Sequence, residues 1–165
     1  MSRREQPARA LCSAGILLYR RRDAAWEVFL VHPGGPFWAR RDAGAWSIPK
    51  GECGPAEDPL LAAQREFTEE TGHVAAGPFR PLAPVRLPSG KRVLAWAALG
   101  DLDPSQLRSN DFTLEWPRGS GTLRAFPEVD RGGWFTLAEA RDKLHPGQRP
   151  LLDALLRNGF DNERS

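Results

Sequence analysis

Three carboxylates, Glu66, Glu69 and Glu70, stand at i, i+3 and i+4 in the sequence. On a helix, at about 100° per residue, they share one face within a single turn. Like charges at that spacing repel by a few tenths of a kcal/mol even on an exposed helix. Arg65 can pair with Glu69 at i,i+4, but one guanidinium cannot neutralise three acids. A hard divalent cation held by oxygen ligands is the simpler balance. A run of acids is ordinarily a solvated helix face.

The element that must carry the carboxylates is legible at both ends. Asp58 suits an N-cap, Pro59 the first helical position and Gly72 the residue after the last turn, so the sequence predicts a helix over 59–71. Leu60, Ala63, Phe67 and Thr71 fall on the adjacent face and supply the stripe that packs on a core.

The pattern Gly51-x5-Glu57-x7-Arg65-Glu66-Phe67-x-Glu69-Glu70-x-Gly72 resembles the signature of the Nudix hydrolases, which cleave a nucleoside diphosphate linked to another group. Every polar and glycine position of that pattern is filled. The departure is His73, where the family carries an aliphatic residue; Val74 is expected to take over its packing, and His73 to bear on stability more than chemistry. The preceding Trp46-Ser47-Ile48-Pro49-Lys50-Gly51 is similar to a lead-in found in several branches of the family.

The resemblance implies a mixed β-sheet sandwiched between α-helices, an α/β (α+β) domain. It implies Mg²⁺, with Mn²⁺ as an alternative, held by Glu66, Glu69, Glu70 and the backbone carbonyl of Lys50. Arg65 becomes an orienting catalytic residue, Glu57 orders the loop, and Gly51 and Gly72 are structural. Such a cation neutralises phosphate oxygens and lowers the pKa of a bound water. The general base is Glu66 or a carboxylate from a later loop or strand. Glu115 is the first candidate for the later one, with Asp111, Asp101 and Glu128 as competitors.

Branches acting on dinucleoside polyphosphates often stack a base on a tyrosine beyond the box, but Tyr19 is the only tyrosine here. Phe37, Trp38, Trp96 and Trp116 are the rings that could replace it, with Arg40, Arg41 and Lys50 as candidate phosphate contacts. For Trp38, Arg40 and Arg41, cover for the core edge and plain solvation compete equally with that role. Neither the NADH-pyrophosphatase nor the coenzyme A pattern is visible, and Pro88 alone is a weak sign of an ADP-ribose enzyme. The expected substrate is a nucleoside triphosphate or a dinucleoside polyphosphate. Two alternatives stay open: a hydrolase of RNA 5′ ends, guided by Arg3-Arg4, Arg20 to Arg22 and Arg40-Arg41, and a catalytically silent binding module, which should have lost some of the three glutamates.

A chain of 165 residues with 41% hydrophobic and 27% charged side chains reads as one soluble domain over 10–160, preceded by a disordered tail over 1–9. The net charge of +2 gives nucleic acid no particular pull. Only Lys50, Lys91 and Lys143 are lysines, so the arginine bias belongs to the whole chain and singles out no residue. Cys12 and Cys53 lack a metal spacing, and no apolar N-terminal run suggests export, so a cytoplasmic protein with free thiols and no membrane partner is expected. The oligomeric state is not legible.

Residues 10–31 read as two strands around a basic turn at 20–23, followed by a loop to Gly44. Residues 81–87 and 92–99 flank the turn 88–91. The stretch 111–116 alternates, with Phe112, Leu114 and Trp116 on one face and Asp111, Thr113 and Glu115 on the other. Late strands are expected at 123–126 and 133–135. A helix should start from the capping box Thr136/Glu139 and run to about 144, and a last helix should span about 150–158.

Overall fold

The computed structural model describes residues 12–159; the tail expected over 1–9 lies outside them. Strand β1 (Cys12–Arg22) and β2 (Ala25–Pro33) form a hairpin with Tyr19 opposite Val28. Asp23 and Ala24 both take positive φ, 50° and 66°, the backbone of a two-residue hairpin turn. The turn is therefore two residues, and Arg20, Arg21 and Arg22, expected in it, are strand residues paired with Glu27, Trp26 and Ala25.

Residues 13–19 of β1 are all buried, as a central strand covered on both faces requires. On one side β1 has β2, and beyond it β9 (Val129–Thr136); on the other it runs parallel to β6 (Arg92–Leu99). The short strands β4 (Arg80–Pro81) and β5 (Val85–Arg86) pair with β6, and β3 (Lys50–Glu52) pairs with β1. The strand expected over 81–87 is thus broken in two, and β3 went unanticipated.

Alternation sorts the side chains into two cores. Ala14, Ile16, Leu18, Phe29 and Val31 face Ala62, Ala63 and Phe67 of α1 (Pro59–Thr71). Leu17, Tyr19, Val28 and Leu30 face Ala140 of α2 (Leu137–Lys143) and Leu151, Leu152 and Leu155 at α3 (Pro150–Ala154) and its continuation. The sheet is sandwiched between helices, as expected. Burying Phe67 contributes about 1.5–3 kcal/mol by itself. The capping box of α2 forms as predicted, and α3 runs on to Gly159 as a wider turn.

Among the described residues strand β7 (Asp111–Glu115) pairs only with β8 (Leu123–Pro127), in a ribbon outside the main sheet, with Phe112 opposite Phe126. The residues before β3 are anchored from far along the chain. The Oε1 of buried Gln148 accepts from Ile48 N–H at 3.0 Å, its Nε2 donates to Ser47 Oγ at 3.0 Å, and His145 N–H donates to Trp46 O at 2.8 Å.

Candidate active site

Helix α1 has the ends its sequence implies. Asp58 Oδ2 accepts from Leu61 N–H at 3.2 Å, and Gly72 closes the helix at φ 76° with its N–H on Thr68 O, a left-handed position that glycine takes without a Cβ penalty. Leu60 is only partly buried and Ala62 fully so, which turns the apolar stripe slightly from the expected Leu60, Ala63, Phe67 and Thr71. After the cap, His73 Nε2 lies 3.3 Å from Gln106 O. Val74 is 83% exposed and does not take over the aliphatic position; Ala75 and Phe79 pack there instead.

Arg65 organises the acids. Its Nε and Nη2 donate to the two oxygens of Glu57 at 2.8 and 3.0 Å, and Nη1 donates to Glu66 at 2.8 Å and Glu69 at 3.1 Å. Nη2 also reaches Glu52 O at 3.3 Å, tying α1 to β3. With Gly54 N–H added at 3.0 Å, Glu57 is held down to about 2, chiefly by Arg65. Glu57 lies in the loop, off the acidic helix face. A Cβ at Gly51 would overlap the Glu66 carboxylate where it now stands, so a side chain there would push that carboxylate aside.

The ladder alternates, with Ile16 N–H on Pro49 O and Cys53 N–H on Cys12 O. That alternation turns the N–H and C=O of Lys50 away from β1. The N–H meets Glu70 Oε1 at 3.3 Å. Glu70 is 8% exposed, and burial pushes its carboxyl up to about 8 against the pull of Lys50. Burial likewise raises Glu66, opposed by Arg65. Burial and then the charge of Lys91 lower the Lys50 ammonium.

A fourth carboxylate joins this group, and it is Glu128. Its N–H donates to Asn110 O at 2.8 Å, Asn110 N–H donates to Glu69 O at 2.8 Å, and Gly34 N–H donates to Glu128 O at 2.9 Å. Those bonds fix the break between β8 and β9 against the C-terminal half of α1. Glu128 is raised by burial and by Glu66 and Glu69, and with Glu70, Lys50, Ser47, Val31 and Val129 it lines a cavity of about 170 Å³. Glu115 is not brought there: it lies at the end of the outer ribbon, where its Oε1 accepts from Gly121 N–H at 3.1 Å. Asp111 is exposed at the start of β7, and Asp101 pairs with Arg20 at 2.7 Å. The cue available in the sequence was an acid between Pro127 and Val129, where two strands break.

Of the four candidate rings, two meet: Phe37 and Trp116 stand edge to face, centroids 5.4 Å apart at 82°. Phe37 is half exposed, and beside it Gly35 lies against Phe112. Trp38 packs on the core under α2 and α3 with Arg41 over its ring, and Trp96 packs on the α1 side. Arg40 and Arg41 are exposed, and the Arg41 carbonyl is bonded to the buried ring of His32, whose other nitrogen meets Asp130 at 2.8 Å. Of the basic cluster 20–22, Arg20 is engaged by Glu27 and Asp101, and Arg3-Arg4 lies outside the described residues.

The donor set is all oxygen and mutually repulsive, as a hard cation needs. Among the described residues no three acidic, His or Cys side chains already converge as a metal cage, because Glu66 and Glu69 are turned to Arg65 and Glu70 to Lys50. The fit lies in the chemistry of the donors, with a rotation of Glu66 and Glu69 off Arg65 needed to complete it.

The NUDIX domain family model matches residues 11–155. An 8-oxo-(d)GTP phosphatase from Mycolicibacterium smegmatis is 33% identical over 124 residues, 72% of this chain and 32% of that protein, so the chain spans about a third of the length of this curated relative. Among solved structures, an Ap4A hydrolase from C. elegans in a binary complex superposes with TM-score 0.61 at 21% identity, over 91% of this chain and 99% of that one. A mutT/nudix family protein from Listeria innocua gives 0.59 at 17%, over 92% and 94%. At these identities the structural likeness bears on the fold alone. No helix among the described residues is long and apolar enough to cross a membrane.

Proposed function

This chain belongs to the NUDIX domain family, and from that premise we propose that it is a Mg²⁺-dependent pyrophosphohydrolase, cleaving a phosphoric anhydride bond of a nucleoside triphosphate or dinucleoside polyphosphate. The observation that carries the reading is the gathering of Glu66, Glu69, Glu70 and Glu128 beside the outward-facing backbone of Lys50. Two relatives, named for 8-oxo-(d)GTP and for Ap4A, support a nucleotide as the substrate class.

Glu66, Glu69, Glu70 and the Lys50 carbonyl would hold the cation, which supplies charge neutralisation on the phosphates and a more acidic water. The remaining chemistry belongs to the chain. Arg65 bridges Glu66 and Glu69 through one nitrogen, offsetting their mutual repulsion and orienting their side chains beside the loop. Glu128, beside Glu70 and Lys50 in the cavity and raised by burial and by Glu66 and Glu69, takes the role of accepting the proton from the attacking water. Glu115 is withdrawn from that role, because its carboxylate is committed to the 115–121 turn. The phosphate chain lies at the acids and the cavity lined by Lys50, Glu70 and Glu128, and the base reaches the half-exposed Phe37 and its neighbour Trp116. An aromatic edge and face recognise any base by its π surface, so the pocket is tolerant of base identity.

The test is a panel of dGTP, 8-oxo-dGTP, Ap4A and 5′-triphosphorylated RNA with Mg²⁺, reading released phosphate and pyrophosphate. Hydrolysis of a small nucleotide that is lost in Glu69→Gln upholds the reading. No release from any member, at Mg²⁺ or Mn²⁺ concentrations that raise the melting temperature, overturns it.

A further inference from the structure

Cys12 and Cys53 face each other across β1 and β3. The register that sets Ser13 opposite Glu52 sets Cys12 opposite Cys53, and Cys53 N–H donates to Cys12 O at 3.1 Å. Their sulfurs lie 3.8 Å apart, with Cys53 donating to Cys12 Sγ, and both are free and partly accessible. Directly opposed residues bonded in this way have Cα atoms about 5.5 Å apart, inside the span of roughly 4.4–6.8 Å that a disulfide bridges. Among the described residues no third His, Cys, Asp or Glu joins them as a metal cage.

We propose that Cys12 and Cys53 are a dithiol site that a peroxide oxidises to an intramolecular disulfide, tethering the start of the catalytic loop to β1. The peroxide O–O bond breaks as it transfers one oxygen to the first thiol, giving a sulfenic acid and one water. The second thiol then attacks that sulfur, the S–S bond forms and the oxygen leaves as a second water. Two thiols lose two electrons and the peroxide gains them. Cys12 meets the oxidant and Cys53 resolves: the Cys53 thiol, pushed up to about 11 by burial and by Cys12, stays protonated with its S–H on Cys12 Sγ. The location gives the tether leverage. Cys53 stands between Glu52, whose carbonyl accepts from Arg65, and Gly54, whose N–H donates to Glu57. Nothing in this depends on which substrate is hydrolysed.

The test treats the purified full chain with a small molar excess of hydrogen peroxide, then alkylates with N-ethylmaleimide and records the intact mass. The expected product has lost two hydrogens, takes up no maleimide, runs as a monomer without reductant and reverts with dithiothreitol. Amide exchange at Gly54 and Glu57 should slow by about tenfold or more in that product, and Cys12→Ser and Cys53→Ser should each abolish both changes. Two alkylatable thiols after treatment, a gain of oxygen atoms in place of the loss, or a disulfide-linked dimer would each overturn the proposal.

Discussion

Glu70→Gln should stabilise the metal-free protein while destroying its activity, and the size of the gain follows from burial. The Glu70 carboxyl is pushed from 4.5 in the open chain to about 8 in the fold. A raised acid makes the folded state bind the extra proton, so its contribution is intact below about 4.5 and is lost as pH rises towards 8. Each unit is worth about 1.36 kcal/mol, so the shift of about 3.5 units sets an upper bound of roughly 5 kcal/mol by pH 8. Relaxation around Lys50 discounts that to about 2–5 kcal/mol, or roughly 5–15 °C for a chain of this size. Glutamine keeps the acceptor for Lys50 N–H and removes the titration. The assay is thermal and urea unfolding of both proteins in EDTA from pH 5 to 9, repeated with Mg²⁺. The curves should meet near pH 5 and diverge upward, Mg²⁺ should rescue only the wild type, and its binding should release a proton near pH 7. Parallel curves across the whole range would refute the burial argument, whatever happened to turnover.

Glu128→Gln should lower kcat by about 10²-fold or more while Glu115→Gln stays near wild type; the reverse order would return the base to the outer ribbon. Phe37→Ala and Trp116→Ala should raise KM by about 5-fold to 150-fold, the equivalent of losing one stacked base. Trp38→Ala and Trp96→Ala should instead lower the melting temperature with KM unchanged, since both rings pack on the cores. Glu57 is held at about 2 by Arg65, so its depressed carboxylate contributes stability above about 4.5 that is lost as pH falls through about 2. Glu57→Gln should therefore unfold more readily than wild type at neutral pH and match it near pH 2, measured by circular dichroism in acid titration.

The parts of this protein that the sequence revealed are those whose determinants are local. Asp58, Pro59 and Gly72 bound α1 because capping is settled within a few residues, and the i, i+3, i+4 acids share a face by helix geometry alone. Alternation in 111–115 was equally readable, yet it says only that a strand exists. Whether that strand joins the main sheet depends on partners far along the chain, and β7 took β8 alone. That is why Glu115, on the polar face of an expected strand, ended on the outer ribbon with its carboxylate bonded to Gly121 N–H. Glu128 reached them through backbone bonds to Asn110 and Gly34, neither of which carries a side-chain signal. Among the aromatics, composition could nominate four rings, but only packing separates Trp38 and Trp96 from the pair Phe37 and Trp116.

The grip of Gln148 on Ser47 and Ile48 sets an order of events in time. The residues that lead into the catalytic loop are completed by bonds spanning about a hundred positions of chain, and loops that long are closed late in folding. During synthesis the helix with the three glutamates leaves the ribosome long before the residues that fix its approach strand. A ribosome stalled just after Glu128 has cleared the exit tunnel would present all four acids on a chain whose 46–50 segment still lacks its anchor. Competence to hydrolyse should appear on nascent chains only once the 144–155 segment has emerged.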